Sequence, residues 1–236
     1  ELYDPEFILA YLSASIVVYL LATAVAMFKN KPSSEAAVEA QCSVIGNVGF
    51  LGIPMLAILM GAKAVGFIMI ILAVDLIVFG SLIILIIVVS KDKKLDIFLF
   101  YRLLIGLLKN PMIVSIICGL LWSASGWSLP GPVSDFIIML GSAATPGALF
   151  AIGASLAQKS AEKFETAAWL SFCKLILHPL AVCVAVFYVF EVELYAATVM
   201  IAAASLPVAG NIFMVAEHYN VAPNRASAAI FLSTVF

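Results

Sequence analysis

Eight stretches of mostly apolar residues follow one another along the chain, at about 7–28, 36–60, 64–89, 111–127, 133–157, 166–190, 193–217 and 223–236. A helix needs about 20 such residues to cross the hydrocarbon of a bilayer. All but the last meet that requirement closely, and only short polar punctuation such as "KNKPSS", "SKDKKLD" and "QKSAEKFE" separates them. Charged residues make up only 11% of the chain, against about 25% in soluble domains. So few charges cannot cover a water-facing surface, so the expected solvent is lipid and the expected class is an all-α, multi-pass integral membrane protein. The stretch 95–108, apolar around Arg102, reads as a helix lying along the interface.

The same composition excludes several functions. No basic tract suggests nucleic acid. Cys42, Cys118, Cys173 and Cys183 all fall inside apolar runs without a CxxC pair, so they read as apolar filler, neither a disulfide framework nor a metal site. No nucleophile elbow, Walker loop, HExxH or dinucleotide fingerprint occurs, so no enzyme and no cofactor are expected. The chain opens on Glu1 without the basic region of a signal peptide, and both ends read as cuts in a longer protein. Trp122, Trp127, Trp169, Tyr188 and Tyr195 lie near span ends and read as interface anchors.

Orientation follows from the basic residues. Lys29, Lys31, Lys91, Lys93, Lys94, Arg102, Lys109, Lys159, Lys163 and Arg225 fall in loops of one face, and Lys63 alone on the other. The positive-inside rule then sets both visible ends outside a cytoplasmic membrane.

A repeat is also visible. The first three spans begin near 7, 36 and 64 and the last three near 166, 193 and 223, an almost constant offset near 158. Span one enters the membrane from outside and span six from inside, so the triplets read as inverted copies, as in many secondary transporters. The expected organisation is a first-repeat bundle at 1–90, a loop with the interfacial helix at 91–110, scaffold helices at 111–157 and a second-repeat bundle at 158–236.

Within the second helix of each triplet sits an unusual stretch: "GNVGFLGIPM" at 46–55 and "ASLPVAGNIF" at 204–213. The offset lays Gly52 on Gly210. Gly and Pro break helices, and a break frees backbone groups that hydrocarbon cannot satisfy. Two matched breaks near mid-membrane would instead meet each other, water or a ligand. Half-helix N-termini there favour an anion, and Asn amides add directional hydrogen bonds. The competing reading is a pair of kinks that only aid close packing.

"GNVGFLGIPM" and "SLPVAGNIFMVAEHYNVAP" resemble the paired motifs of the auxin efflux carrier family, which includes plant auxin exporters and prokaryotic permeases for malate or malonate. "NPMIVSIICGLL", "AATPGALFAIGASL" and "KLILHP" are similar to it as well. The resemblance implies ten spans in two inverted five-helix repeats, with the fourth and ninth helices broken and crossed. The eight spans here would be the third to the tenth, with the first two absent and the tenth cut short. Carried over residue by residue, Gly46, Asn47, Gly49, Gly52 and Pro54 would form the first crossing, and Pro207, Gly210 and Asn211 the second. The short central loop points to a prokaryotic carrier, and the family likeness to a homodimer.

Three ionisable residues fall inside spans: Asp75, and Lys174 and His178 four residues apart on one helix face. A charge at the bilayer centre costs at least ~2.5 kcal/mol, so each should face protein or water. They are candidates for anion binding or for coupling to a proton or sodium ion, or else form a structural Asp75–Lys174 pair. Pro179 should bend their helix. Glu39 reads as interfacial. The expected function is a secondary transporter moving a small organic anion, such as a mono- or dicarboxylate, by alternating access. A channel or an intramembrane enzyme are the alternatives, and both lack the polar groups they would need.

Overall fold

The computed structural model describes residues 4–92, 105, 111–156 and 164–236. In chain order its helices are α1 (Pro5–Phe28), α2 (Ser33–Val44), α3 (Ile53–Met60), α4 (Ala64–Val74), α5 (Gly80–Asp92), α6 (Pro111–Ser125), α7 (Gly131–Leu156), α8 (Phe164–Phe172), α9 (His178–Val184), α10 (Leu194–Ala204), α11 (Gly210–His218) and α12 (Pro223–Val235). Wider π-helical turns occupy Val48–Gly52, Asp75–Phe79, Cys173–Leu177 and Ala185–Val189. Among the described residues three continuous helices are long and apolar enough to cross a bilayer: Pro5–Phe28, Ala64–Ser90 and Phe164–Val189. Shorter apolar helices cover Val48–Met60, Gly131–Ala143 and Leu194–Ala204. The interfacial stretch at 95–108 lies outside the described residues apart from Ile105, as do loop residues Lys93, Lys94, Arg102, Lys109, Lys159 and Lys163.

The chain divides into two compact units. One combines residues 1–95 with 159–236; the other is 96–158. In the smaller unit, Gly126 ends the chain's run through α6 with φ +69°, a conformation that suits a residue without Cβ. The rings of Trp122 and Trp127 meet edge to face at 5.9 Å across that turn. Phe136, Ile137 and Met139 on α7 are exposed, as suits a helix in lipid.

In the larger unit, α1 shows how a helix that is apolar all round finds its orientation. Asp4 caps it by accepting from the Glu6 amide at 2.9 Å, and Pro5 occupies the first turn, where its missing N–H costs nothing. The buried face runs Phe7, Ala10, Tyr11, Ala14, Ser15, Val18, Tyr19 and Ala22, the spacing of one helical stripe. Leu9, Ile16, Val17, Leu20 and Leu21 lie on the exposed side. Both sides are apolar; small and polar residues mark the inward one, because they let neighbouring backbones approach.

The expected spans at 36–60 and 193–217 are not continuous helices. The first stops at Val44, passes through Ile45–Gly46–Asn47 and resumes in a π-helical turn leading into α3. The second stops at Ala204 and resumes at Gly210. Pro179 stands beside a π-helical turn within the continuous helix Phe164–Val189. Its missing N–H and its ring cannot fit a regular α turn, and the π-helical turn Cys173–Leu177 immediately precedes it. The turn at Asp75–Phe79 has no proline near it.

Tyr195 ties two helices together. Its hydroxyl donates to the Met60 carbonyl at 2.8 Å, and the Lys63 ammonium stands 5.2 Å from its ring centre. These contacts hold the start of α10 to the end of α3.

Candidate functional site

The two breaks meet each other. The amide of Asn47 donates to the Pro207 carbonyl at 2.7 Å, and the amide of Ala209 donates to the Ile45 carbonyl at 3.1 Å. Gly46 and Val208 thus form an isolated antiparallel bridge. The Asn47 and Ala209 amides and the Ile45 and Pro207 carbonyls released by the breaks are thus satisfied across the crossing, the requirement that an apolar environment imposes. The bridge pairs Gly46 with Val208, whereas the constant offset of the spans lays Gly52 on Gly210. Span starts locate a repeat only to within a turn.

Glycine at two positions has a definite spatial cause. A Cβ on Gly52 would sit 2.7 Å from Leu206 Cδ1, so the break in the second helix presses directly on the turn after the first. A Cβ on Gly46 would meet Lys174 Cε at 3.2 Å, Lys174 Nζ at 3.3 Å and the Ala203 carbonyl at 3.3 Å. Gly49 has ordinary contacts, with Leu72 at 3.6 Å.

Asn47 and Gly210 stand where the second halves of the two broken helices begin, and Asn211 follows in the first turn. Asn47 is buried, and the Asn211 side-chain oxygen is fully enclosed without a hydrogen-bond partner. Pro54 lies in the first turn of α3, and Pro207 supplies the carbonyl that the Asn47 amide uses.

Behind the crossing lies a buried polar chain. Lys174 donates to the carbonyl of Ala204, the last residue of α10, so a cation sits at a helix C-terminus whose carbonyls have no further helical partner. Its Nζ is 3.3 Å from His178 Nδ1, and His178 Nε2 is 3.0 Å from Ser15 Oγ. A protonated lysine can only donate. Nδ1 then accepts, and Nε2 carries the proton directed at Ser15. Tyr11 donates to Asp75 Oδ1 at 2.8 Å, and its ring meets that of His178 edge-on at 5.8 Å. Asp75 Oδ2 is buried with no partner. Among the described residues no ion pair joins Asp75 to Lys174; each has other partners.

Lys174 therefore touches both crossing strands, through Gly46 and Ala204, while Asp75 joins the cluster through Tyr11. Tyr11, Ser15 and Gln41, whose side-chain oxygen is also buried and unpartnered, were not among the residues expected from sequence. Tyr11 and Ser15 fall on the small-residue stripe of α1, and that stripe is the one signal that could have marked them. Glu39 is almost wholly buried and bonds both Lys31 and Arg225.

Two cavities lie apart from this arrangement. One, about 310 Å³, is lined by Ile16, Tyr19, Ala37 and Phe79. Another, about 530 Å³, is lined by Phe172, Ile176, Leu232 and Ser205, and through Ser205 reaches the edge of the second break. Neither is lined by Asn47, Asp75, Lys174 or Asn211. At the crossing Asn47, Gly46 and Val208 are buried, while Pro207, Gly210 and Asn211 are partly accessible.

The chain is 26% identical over 240 residues to a protein of Rhizobium meliloti (strain 1021) named "Putative malonate transporter", an alignment covering 100% of this chain and 74% of the relative. The family model described as "Membrane transport protein" matches residues 5–236. A chain that is helical through most of its described residues, with three helices of membrane length and a family match across nearly its whole sequence, belongs to the membrane transport protein family, that of the auxin efflux carriers and permeases.

Proposed function

We propose that this chain is the greater part of a secondary carrier that moves a small organic anion by alternating access at the crossed breaks. The observation that carries this reading is the bridge between Gly46 and Val208, from which two half-helices depart with Asn47 and Asn211 at their starts. N-terminal N–H groups and partial positive charge from both half-helices would converge on a carboxylate, with the two amides setting its orientation. Lys174, reaching both strands, adds a full positive charge near the same place. The name of the Rhizobium relative favours a dicarboxylate of malonate size.

A carrier must seal its site from one side before opening to the other, whereas a channel needs a continuous polar path, for which the spans offer few polar residues. In this reading the bundles at 1–90 and 158–236 are inverted copies, 111–157 is scaffold, and the eight stretches are spans of a ten-span carrier. The protein then works in a prokaryotic cytoplasmic membrane as a homodimer. Asp75, His178 and Lys174 couple substrate movement to a proton or sodium ion. Two of them are neighbours, and the third has a carboxylate oxygen with no protein partner.

The test is counterflow in proteoliposomes holding the full-length protein. Preloaded unlabelled malonate should accelerate entry of labelled malonate, and other mono- and dicarboxylates should compete according to fit. Uptake that preloading leaves unaltered would turn the reading toward a channel.

A further inference from the structure

We propose that Arg225 and Ser233, on a single helix, are positioning residues that hold the second break in register with the first. The role in transport rests on the reading of the crossing as the substrate site; the role in holding the break does not.

The argument begins with Arg225. It lies in the first turn of α12, which starts at Pro223. A cation at a helix N-terminus is at the unfavourable end of the dipole. The guanidinium is compensated by two carboxylates of α2, with Nη1 2.5 Å from Glu35 Oε2 and 3.1 Å from Glu39 Oε1. Glu39 is 3% exposed and is also bonded by Lys31, from the turn before α2. A carboxylate so enclosed requires its cations, because an uncompensated buried charge is strongly unfavourable. The clasp therefore holds the start of α12 to the middle of α2.

Eight residues later, about 12 Å along a helix, Ser233 makes the second attachment. Its hydroxyl accepts the Val208 amide at 3.0 Å and donates to the Ile230 carbonyl at 3.2 Å. Val208 is the bridge partner of Gly46, and its amide is not used by the two bonds that join the strands. Ser233 is buried, so that amide has no water to turn to. Between the two attachments, Ser171 of α8 donates to the Ala229 carbonyl at 3.4 Å and holds the middle of α12.

These contacts close a loop. Helix α2 runs from Glu39 to the first break; the bridge passes from Gly46 to Val208; Ser233 receives Val208; α12 returns to Arg225, which binds Glu39. The position of Val208 against Gly46 is thus determined at two ends of one rigid helix. A hinge at the break alone could slide by a residue, since a single isolated bridge specifies register weakly.

The experiment is hydrogen exchange by mass spectrometry on the full-length protein in detergent, with labelled malonate binding measured on the same preparations. Arg225→Gln removes the clasp, Ser233→Ala removes the acceptor, and Ser233→Thr keeps a hydroxyl. Peptides covering 206–211 should exchange about five- to tenfold faster in the first two variants, the effect of losing one buried hydrogen bond, and near the wild-type rate in Ser233→Thr. Peptides from 111–156 should not change and so report intact folding. Malonate affinity should fall by a similar factor in the first two variants alone. Faster exchange with unchanged malonate affinity would keep the positioning role and remove the substrate site from the crossing. Wild-type exchange at 206–211 in both Arg225→Gln and Ser233→Ala would overturn the proposal. Ser233→Ala deletes only one oxygen, so it gives a decisive answer even where Arg225→Gln fails to fold.

Discussion

Lys174 Nζ lies 3.3 Å from the point where a Cβ on Gly46 would stand, so the buried ammonium occupies the space that this residue leaves free. The absence of one methyl group lets a cation on a membrane helix reach the backbone of the first break while it holds the Ala204 carbonyl before the second.

Gly46→Ala should therefore displace Lys174 or part the bridge. Its methyl would be tight against Lys174 Cε and against a backbone carbonyl that cannot rotate away. Overpacking of this kind costs about 1–3 kcal/mol. Transport should fall at least tenfold, and the unfolding midpoint in detergent should drop. Gly49→Ala, whose methyl would meet only Leu72 at ordinary distance, should retain transport and is the matched control.

Gly52→Ala presents a softer obstacle. The atom it would strike at 2.7 Å is Cδ1 of Leu206, the end of a flexible side chain. The single variant should lose transport, and Leu206→Ala in the same chain should restore much of it. A double-mutant cycle measures this coupling, expected at about 0.5–3 kcal/mol for groups in contact. Strictly additive losses would mean that Gly52 is required for something other than room for Leu206.

Asn47→Ala and Asn211→Ala address the proposed substrate contacts. Each should remove a hydrogen bond to a charged group, worth roughly 1.5–3 kcal/mol, or about tenfold to a hundredfold in affinity. Folding should survive, because alanine is a good helix former and the Asn211 oxygen has no protein partner to lose. Isothermal titration with malonate is the measurement. Wild-type affinity in both variants would move the site elsewhere and return the breaks to a packing role.

Asp75→Asn tests coupling. The amide oxygen can still accept from Tyr11 Oη, which keeps the 2.8 Å contact while removing the charge. Uptake should lose its pH dependence, and substrate binding should persist. Tyr11→Phe leaves the charge and removes the donor, at a stability cost of about 1–3 kcal/mol for the unsatisfied carboxylate oxygen. Unchanged pH dependence in Asp75→Asn would leave Asp75 a structural role.

Ala222→Gly should stabilise the protein. Ala222 sits at φ +46°, a left-handed conformation that costs a residue with a Cβ roughly 1–2 kcal/mol. Glycine removes that cost but adds unfolded-state entropy, so a net gain below about 1 kcal/mol is expected. The readout is a rise of the thermal midpoint without loss of uptake.

Much of this protein is legible in its amino-acid sequence. Apolar runs of membrane length with so few charges leave helices as the solution, because lipid satisfies no backbone group. The two Gly/Pro/Asn stretches announced their breaks, because glycine and proline act on the backbone locally. Asp75, Lys174 and His178 were conspicuous as ionisable groups where burial is costly. Tertiary structure alone decided how these pieces met. It paired Gly46 with Val208, joined Lys174 to Ala204 rather than to Asp75, and recruited Tyr11 and Ser15 from the inward stripe of α1. It also buried Glu39 between Lys31 and Arg225. The reason is one of range. Propensity, hydropathy and backbone freedom act over a few residues and are written in neighbouring letters. The partner of a buried polar group is whichever group the packing of distant helices brings within about 3 Å, as with Ser15 and His178, 163 positions apart.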